Sequence, residues 1–173
     1  MVEVAIESAG ERPGRPPLVR LLVDVTASNP TASSRWLLIA RKLPAQAGGG
    51  VDKNEQQTAG SVVYGVFLGN GGFYGFLLAP GAKLAIKNLE IAWWNDEKAA
   101  SPPALEVRTG TAVTVGGADL ATWFDRNPAL SGTVEVDAGA AQHTYSKKSD
   151  SGAELEVSVA GLETRTIAVT AAR

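Results

Sequence analysis

The sequence predicts an all-β protein: an antiparallel β-sandwich of two sheets, with one short helix near 118–126. Three observations carry the prediction. Apolar and polar residues alternate with a period of two through several short runs, the mark of strands with one wet face. Turn-forming residues separate those runs at intervals of roughly ten residues, the spacing of two-sheet β folds. One stretch leaves the strand period and takes up helical spacing instead.

The elements follow in chain order. In "VEVAI", Val2, Val4 and Ile6 share one face and Glu3 takes the other. "RPGRPP", 12–17, reads as a stiff connector. "LVRLLVDVT" sets Val19, Leu21, Val23 and Val25 against Arg20, Asp24 and Thr26. "SNPT", 28–31, turns the chain into "RWLLIARKL". The polar, glycine-rich stretch 43–60 reads as a mobile surface loop with Val51 as its one apolar anchor. "VVYGVFL" and "FYGFLLA" flank "GNGG", 69–72, whose Asn-Gly pair signals a hairpin because both residues tolerate positive φ. "APGA", 79–82, is a Pro-Gly turn. Four later runs are half-wet strands: "LEVR", "TVEVD", "ELEVSV" and "TRTIAV". "GG" at 116–117 and "SG" at 151–152 punctuate them. In "GADLATWFDRNP", 117–128, Leu120, Trp123 and Phe124 lie at helical spacing, Asp119 can cap the start and Pro128 limits the end.

Strands from about 35 to 94 differ from the rest. "WLLIA", "VVYGVF" and "FYGFLLA" are apolar on both faces. Such strands are either covered on both sides by their own chain or meet another subunit on one.

The stretch "AKLAIKNLEIAWW" changes phase. Leu84 and Ile86 are even-numbered apolar positions; Leu89, Ile91 and Trp93 are odd. A one-residue slip flips every side chain, so a β-bulge near Asn88 is expected to keep both sets on one core. Two separate strands meeting at Asn88 are the alternative. Either way Trp93 goes inward, and Trp94 joins Glu90 and Ala92 on the outer row.

Composition bounds the function. The chain has 173 residues, which suits a single domain, 1–173. A net charge of −2 with scattered basic residues argues against a nucleic-acid partner. No cysteine means no disulfide, thiolate chemistry or cysteine zinc site, and points to a reducing compartment. With no signal peptide visible, the expected location is cytoplasmic, and secretion by a non-classical route stays open.

Chemistry is sparse. The lone histidine, His143, has no nucleophile-elbow motif to serve. The carboxylate pairs Asp96–Glu97 and Glu154–Glu156 lie in polar settings that do not drive their pKa values apart. No phosphate-cradling glycine loop is present. The expectation is therefore no cofactor, no metal and no enzymatic activity. The Asn-Pro and Pro-Gly turns between strands resemble those of immunoglobulin-like sandwiches, a likeness of fold that implies no function. A jelly-roll-like arrangement fits the same turns.

The expected role is a protein-interaction or self-assembly module whose partner is another protein or itself. The alternative is a lectin-like or lipid-binding module, with a glycan or lipid partner. The candidate binding residues are the aromatics Trp94, Trp36, Tyr74 and Phe73, as hot spots or stacking faces. For Trp36, burial is the first expectation.

Overall fold

The computed structural model describes residues 1–12, 18–41, 50–55, 62–68, 71–94, 104–120, 129–138, 143–147 and 156–170. At 11, 12, 18, 19, 41, 50–55, 62–65, 67, 68, 71, 72, 92–94 and 143–147 the description is of the backbone alone. The described residues form an all-β protein of three sheets, none closed into a barrel. No helix among them is long and apolar enough to cross a membrane.

The first sheet has four strands, in the order β1 (Glu3–Arg12), β2 (Leu18–Ser28), β7 (Lys83–Trp94), β11 (Thr133–Asp137). The second has seven, in the order β12 (His143–Lys147), β4 (Gly50–Glu55), β5 (Val62–Leu68), β6 (Gly71–Leu78), β3 (Arg35–Arg41), β8 (Ala104–Gly110), β14 (Glu163–Ala168). The third is small: β10 (Ala118–Asp119), β9 (Ala112–Val115), β13 (Val157–Ala160). Among the described residues, all pairings between strands are antiparallel except that of β11 with β7.

The odd-numbered row of β2 explains the main core. Leu21, Val23, Val25 and Ala27 are buried with Leu84, Ile86 and Leu89 of β7 and Val136 of β11. The same cluster takes Leu37 and Ile39 of β3, Phe76 and Leu78 of β6, and Leu105 and Val107 of β8. The four- and seven-stranded sheets thus share one apolar interior.

The expected bulge is present. Val23 pairs with Leu89 and Val25 with Ile86, so Lys87 and Asn88 together oppose Asp24. Asn88 takes φ 56°, a left-handed conformation that asparagine accepts more readily than most residues. Leu84, Ile86 and Leu89 all end up in one core, and β7 is one strand of 12 residues. A second register shift lies on the other side of β2, where Glu7 is the extra residue of β1 between Ile6 and Ser8. β2 carries no extra residue at either shift, and both neighbours bulge beside Asp24.

The third sheet departs from the two-sheet expectation. It is the continuation of an antiparallel ribbon. Glu163 pairs with Thr109 in the large sheet and Ala160 with Ala112 in the small one, three residues on in both strands, so register is kept across the bend. At the bend Thr111 N donates to Ala160 O at 2.8 Å, and Gly161 takes φ 60°. Folded back, the ribbon lays Val113, Val115, Val157 and Val159 over the second face of the large sheet, against Trp36, Leu38, Phe73 and Leu77. The strands with two apolar faces are therefore covered on both by their own chain, wherever their side chains are described.

Two expectations need correction. Ala118 and Asp119, the start of the expected helix, are strand, and Leu120 is the first helical residue. Gly116 and Gly117, at φ 57° and 82°, form a two-residue turn that pairs Ala118 with Val115. Leu120 is fully buried in the second core; residues 121–128, with Trp123, lie outside the described residues. The stretch 43–60, read as a loop, contains β4, in which Val51 pairs with Val66 and Lys147. Its polar sequence carries little strand signal, and the pairing comes from strands on both sides.

Candidate functional site

Of the aromatic candidates whose side chains are described, Trp36 and Phe73 share one buried cluster and Tyr74 packs on the opposite face. Trp36 is 2% exposed, beneath the folded ribbon. Phe73 is 3% exposed, on the same face of the large sheet, and the Arg108 guanidinium lies 4.6 Å from its ring centroid. That guanidinium is itself oriented by its Nε, which donates to Glu106 Oε1 at 2.6 Å. Tyr74 points to the opposite face and packs half-buried against the main core. Trp93 and Trp94 lie in the backbone of β7 opposite Val19 and Leu18, and their side chains lie outside the described residues. The side chains of His143, Asp96, Glu97 and Glu154 lie outside them too. Among the described residues no three His, Cys, Asp or Glu side chains are grouped to hold a metal.

The concave feature that stands out is a groove of about 440 Å³ on the four-stranded sheet, lined by residues 3–5 of β1, 26–28 of β2, 83–85 of β7 and Thr133 of β11. Every lining residue belongs to that one sheet. The pleat sends Val4, Ala27 and Leu84 inward, where they join or pack on the core, so the groove lies on the outer face. Its floor is the cross-strand row Ala5, Thr26, Ala85, whose short side chains leave the depression. One wall is the row Glu3, Ser28, Lys83, Thr133.

Carboxylates stand at both ends of the floor. At the β1 end, Ser28 Oγ donates to Glu3 Oε2 at 3.3 Å and Thr26 Oγ1 donates to Glu7 Oε1 at 2.7 Å. At the other end Glu135 pairs with Ala85. Beyond the floor lies the bulge. Asp24 Oδ1 accepts from Asn88 N at 3.1 Å, Asp24 Oδ2 pairs with Lys87 Nζ at 3.2 Å, and Asn88 Nδ2 donates to Asp137 Oδ1 at 3.1 Å. The Asn88 N–H holds the Asp24 carboxyl below the usual carboxylate range; partial burial opposes this, and Lys87 and Ser8 reinforce it.

The sequence reading missed the groove. Its signal is faint: alanine at the wet-face positions 5 and 85, where a strand surface usually carries a longer polar chain. Alternation shows which residues face out, and it does not show which outward residues sit side by side.

Comparison with protein-family models, with curated proteins and with solved structures returned no match for this chain.

Proposed function

We propose that the protein is a non-enzymatic interaction module, a β-sandwich with a ribbon folded over one side, that binds another protein through the outer face of its four-stranded sheet. The groove carries this reading: its volume falls within the range of ligand-binding clefts, and its floor of small side chains leaves room for an incoming chain. The apolar interior shared by the two larger sheets supports the sandwich. A cysteine-free sequence supports a reducing compartment such as the cytoplasm.

Self-assembly through surplus apolar strands is less well supported. Val66, Phe73, Phe76, Leu77 and Leu78 are all buried within the single chain. A glycan or lipid platform needs open aromatic faces, and Trp36 and Phe73 offer none.

A photo-crosslinking residue in place of Ala85 tests the proposal, with the same residue in place of Ser158, exposed on the third sheet, as control. The expected result is a discrete heterologous adduct at position 85 and none at 158. Equal labelling at both positions, or none at either, would remove the reading.

A further inference from the structure

We infer that the groove docks an extended, basic segment of the partner, with two Lys or Arg side chains about four residues apart and small residues between them. The inference rests on the reading that this face binds a protein, and it names the chemistry of what binds.

Charge complementarity selects the occupant. Among the described residues the groove is lined by one carboxylate, Glu3, and one ammonium group, Lys83; beside its floor on the same face stand Glu7, bonded to Thr26, and Glu135, paired with Ala85. Three carboxylates against one ammonium group leave this patch acidic, at −2. A second copy docking through this same face would bring the same excess and be repelled, so a cationic partner is favoured. The carboxylates are also placed in a pattern. Lys87 is occupied by Asp24 at 3.2 Å, whereas Glu3 and Glu7 are held at one end of the floor and Glu135 stands at the other.

Geometry sets the spacing. The floor crosses from β1 through β2 and β7 to β11, three inter-strand steps, or about 14 Å at the usual strand separation. An extended chain covers that distance in about four residues. Between the charged ends, the short side chains of Ala5, Thr26 and Ala85 keep the floor low, so a segment with small residues there can lay its backbone close to the sheet. Lys83, on the wall, opposes a basic occupant and sets a limit on affinity.

The test is a titration of the whole chain, followed by backbone amide chemical shifts, with end-blocked Lys-Ala-Ala-Ala-Lys and its Glu-Ala-Ala-Ala-Glu counterpart. The basic peptide should move the Ala5, Thr26 and Ala85 amides. Its affinity should fall several-fold with added salt and in Glu3→Gln/Glu135→Gln, and should rise in Lys83→Gln. All three positions are exposed, so these variants keep the fold. If the acidic peptide moves those amides instead, the face docks a different chemistry; this inference falls and the broader reading stands. If neither peptide moves them, the inference falls, and the crosslink at position 85 decides the broader reading alone.

Discussion

Asn29 Nδ2 donates to the carbonyl oxygen of Leu78 at 2.9 Å, joining residues 49 apart in sequence. The same amide group donates to Ser33 O at 2.9 Å and Ala79 O at 3.1 Å, and its Oδ1 accepts from Thr31 N and Oγ1. Asn29 is fully buried, and its backbone also exchanges hydrogen bonds with Gly81 and Ala82. One side chain therefore clamps the turn after β2 to the turn after β6, and so links the first sheet to the second.

Removing that clamp leaves several buried polar groups unmatched. Asn29→Ala should cost about 2–3 kcal/mol. Asn29→Asp should cost at least as much, because it replaces the donor with an acceptor beside three carbonyls. Urea unfolding measures both, and an unchanged midpoint would contradict the clamp.

At the bulge, the depressed pKa of Asp24 ties stability to pH. The carboxylate is favoured in the folded state, so its contribution is fully present above the unfolded value, near 3.8, and is lost as pH falls through the lower folded value. Asp24→Asn should lower stability at neutral pH by about 1 kcal/mol or less, since the pair with Lys87 is partly exposed. Below the folded pKa the variant and the parent should converge. Denaturant midpoints across that pH range measure the difference, and a gap that widens in acid would contradict it.

Asn88 itself is a backbone requirement. Asn88→Gly keeps the left-handed conformation and loses the bond to Asp137; Asn88→Val cannot adopt φ 56° without strain. The valine variant should be the less stable of the two by about 1–2 kcal/mol. Equal thermal midpoints would mean that the bulge does not depend on that conformation.

The ribbon crosses the large sheet at Gly110. A Cβ there would collide with Val159 Cγ1 and come within 2.9 Å of the Ala160 carbonyl oxygen, whereas a Cβ on Gly10 meets nothing within 4 Å. Gly110→Ala should destabilise by about 1–3 kcal/mol, Val159→Ala should restore part of that loss, and Gly10→Ala should be near neutral. A neutral Gly110→Ala would mean that the ribbon does not lie against β8.

Much of this architecture was legible in the residues. Period-two alternation marked β2, β8 and β11, and the phase change at Asn88 marked the bulge, because a register slip must leave a trace in the apolar pattern. Non-local features left no such trace. Nothing in "TVEVD" shows that β11 runs parallel to β7, since alternation is blind to direction. β4 is a strand because β5 and β12 pair with it. Trp36 reads as an aromatic beside an arginine, and only the fold of the ribbon places it inside. The groove escaped notice for the same reason: Ala5, Thr26 and Ala85 become neighbours through strand pairing alone.

Cysteine accessibility tests the central claim most directly: the central strands β3 and β6 of the large sheet are closed on both faces, and the four-stranded sheet is open on its outer one. The chain has no native cysteine, so each introduced thiol reports alone. Under native conditions Ala85→Cys, half-buried on the open groove floor, should react with a maleimide far faster than a core thiol. Leu37→Cys and Leu38→Cys, on opposite faces of β3, should both be strongly protected. A protected thiol at 85, or a freely reactive one at 38, would contradict the account.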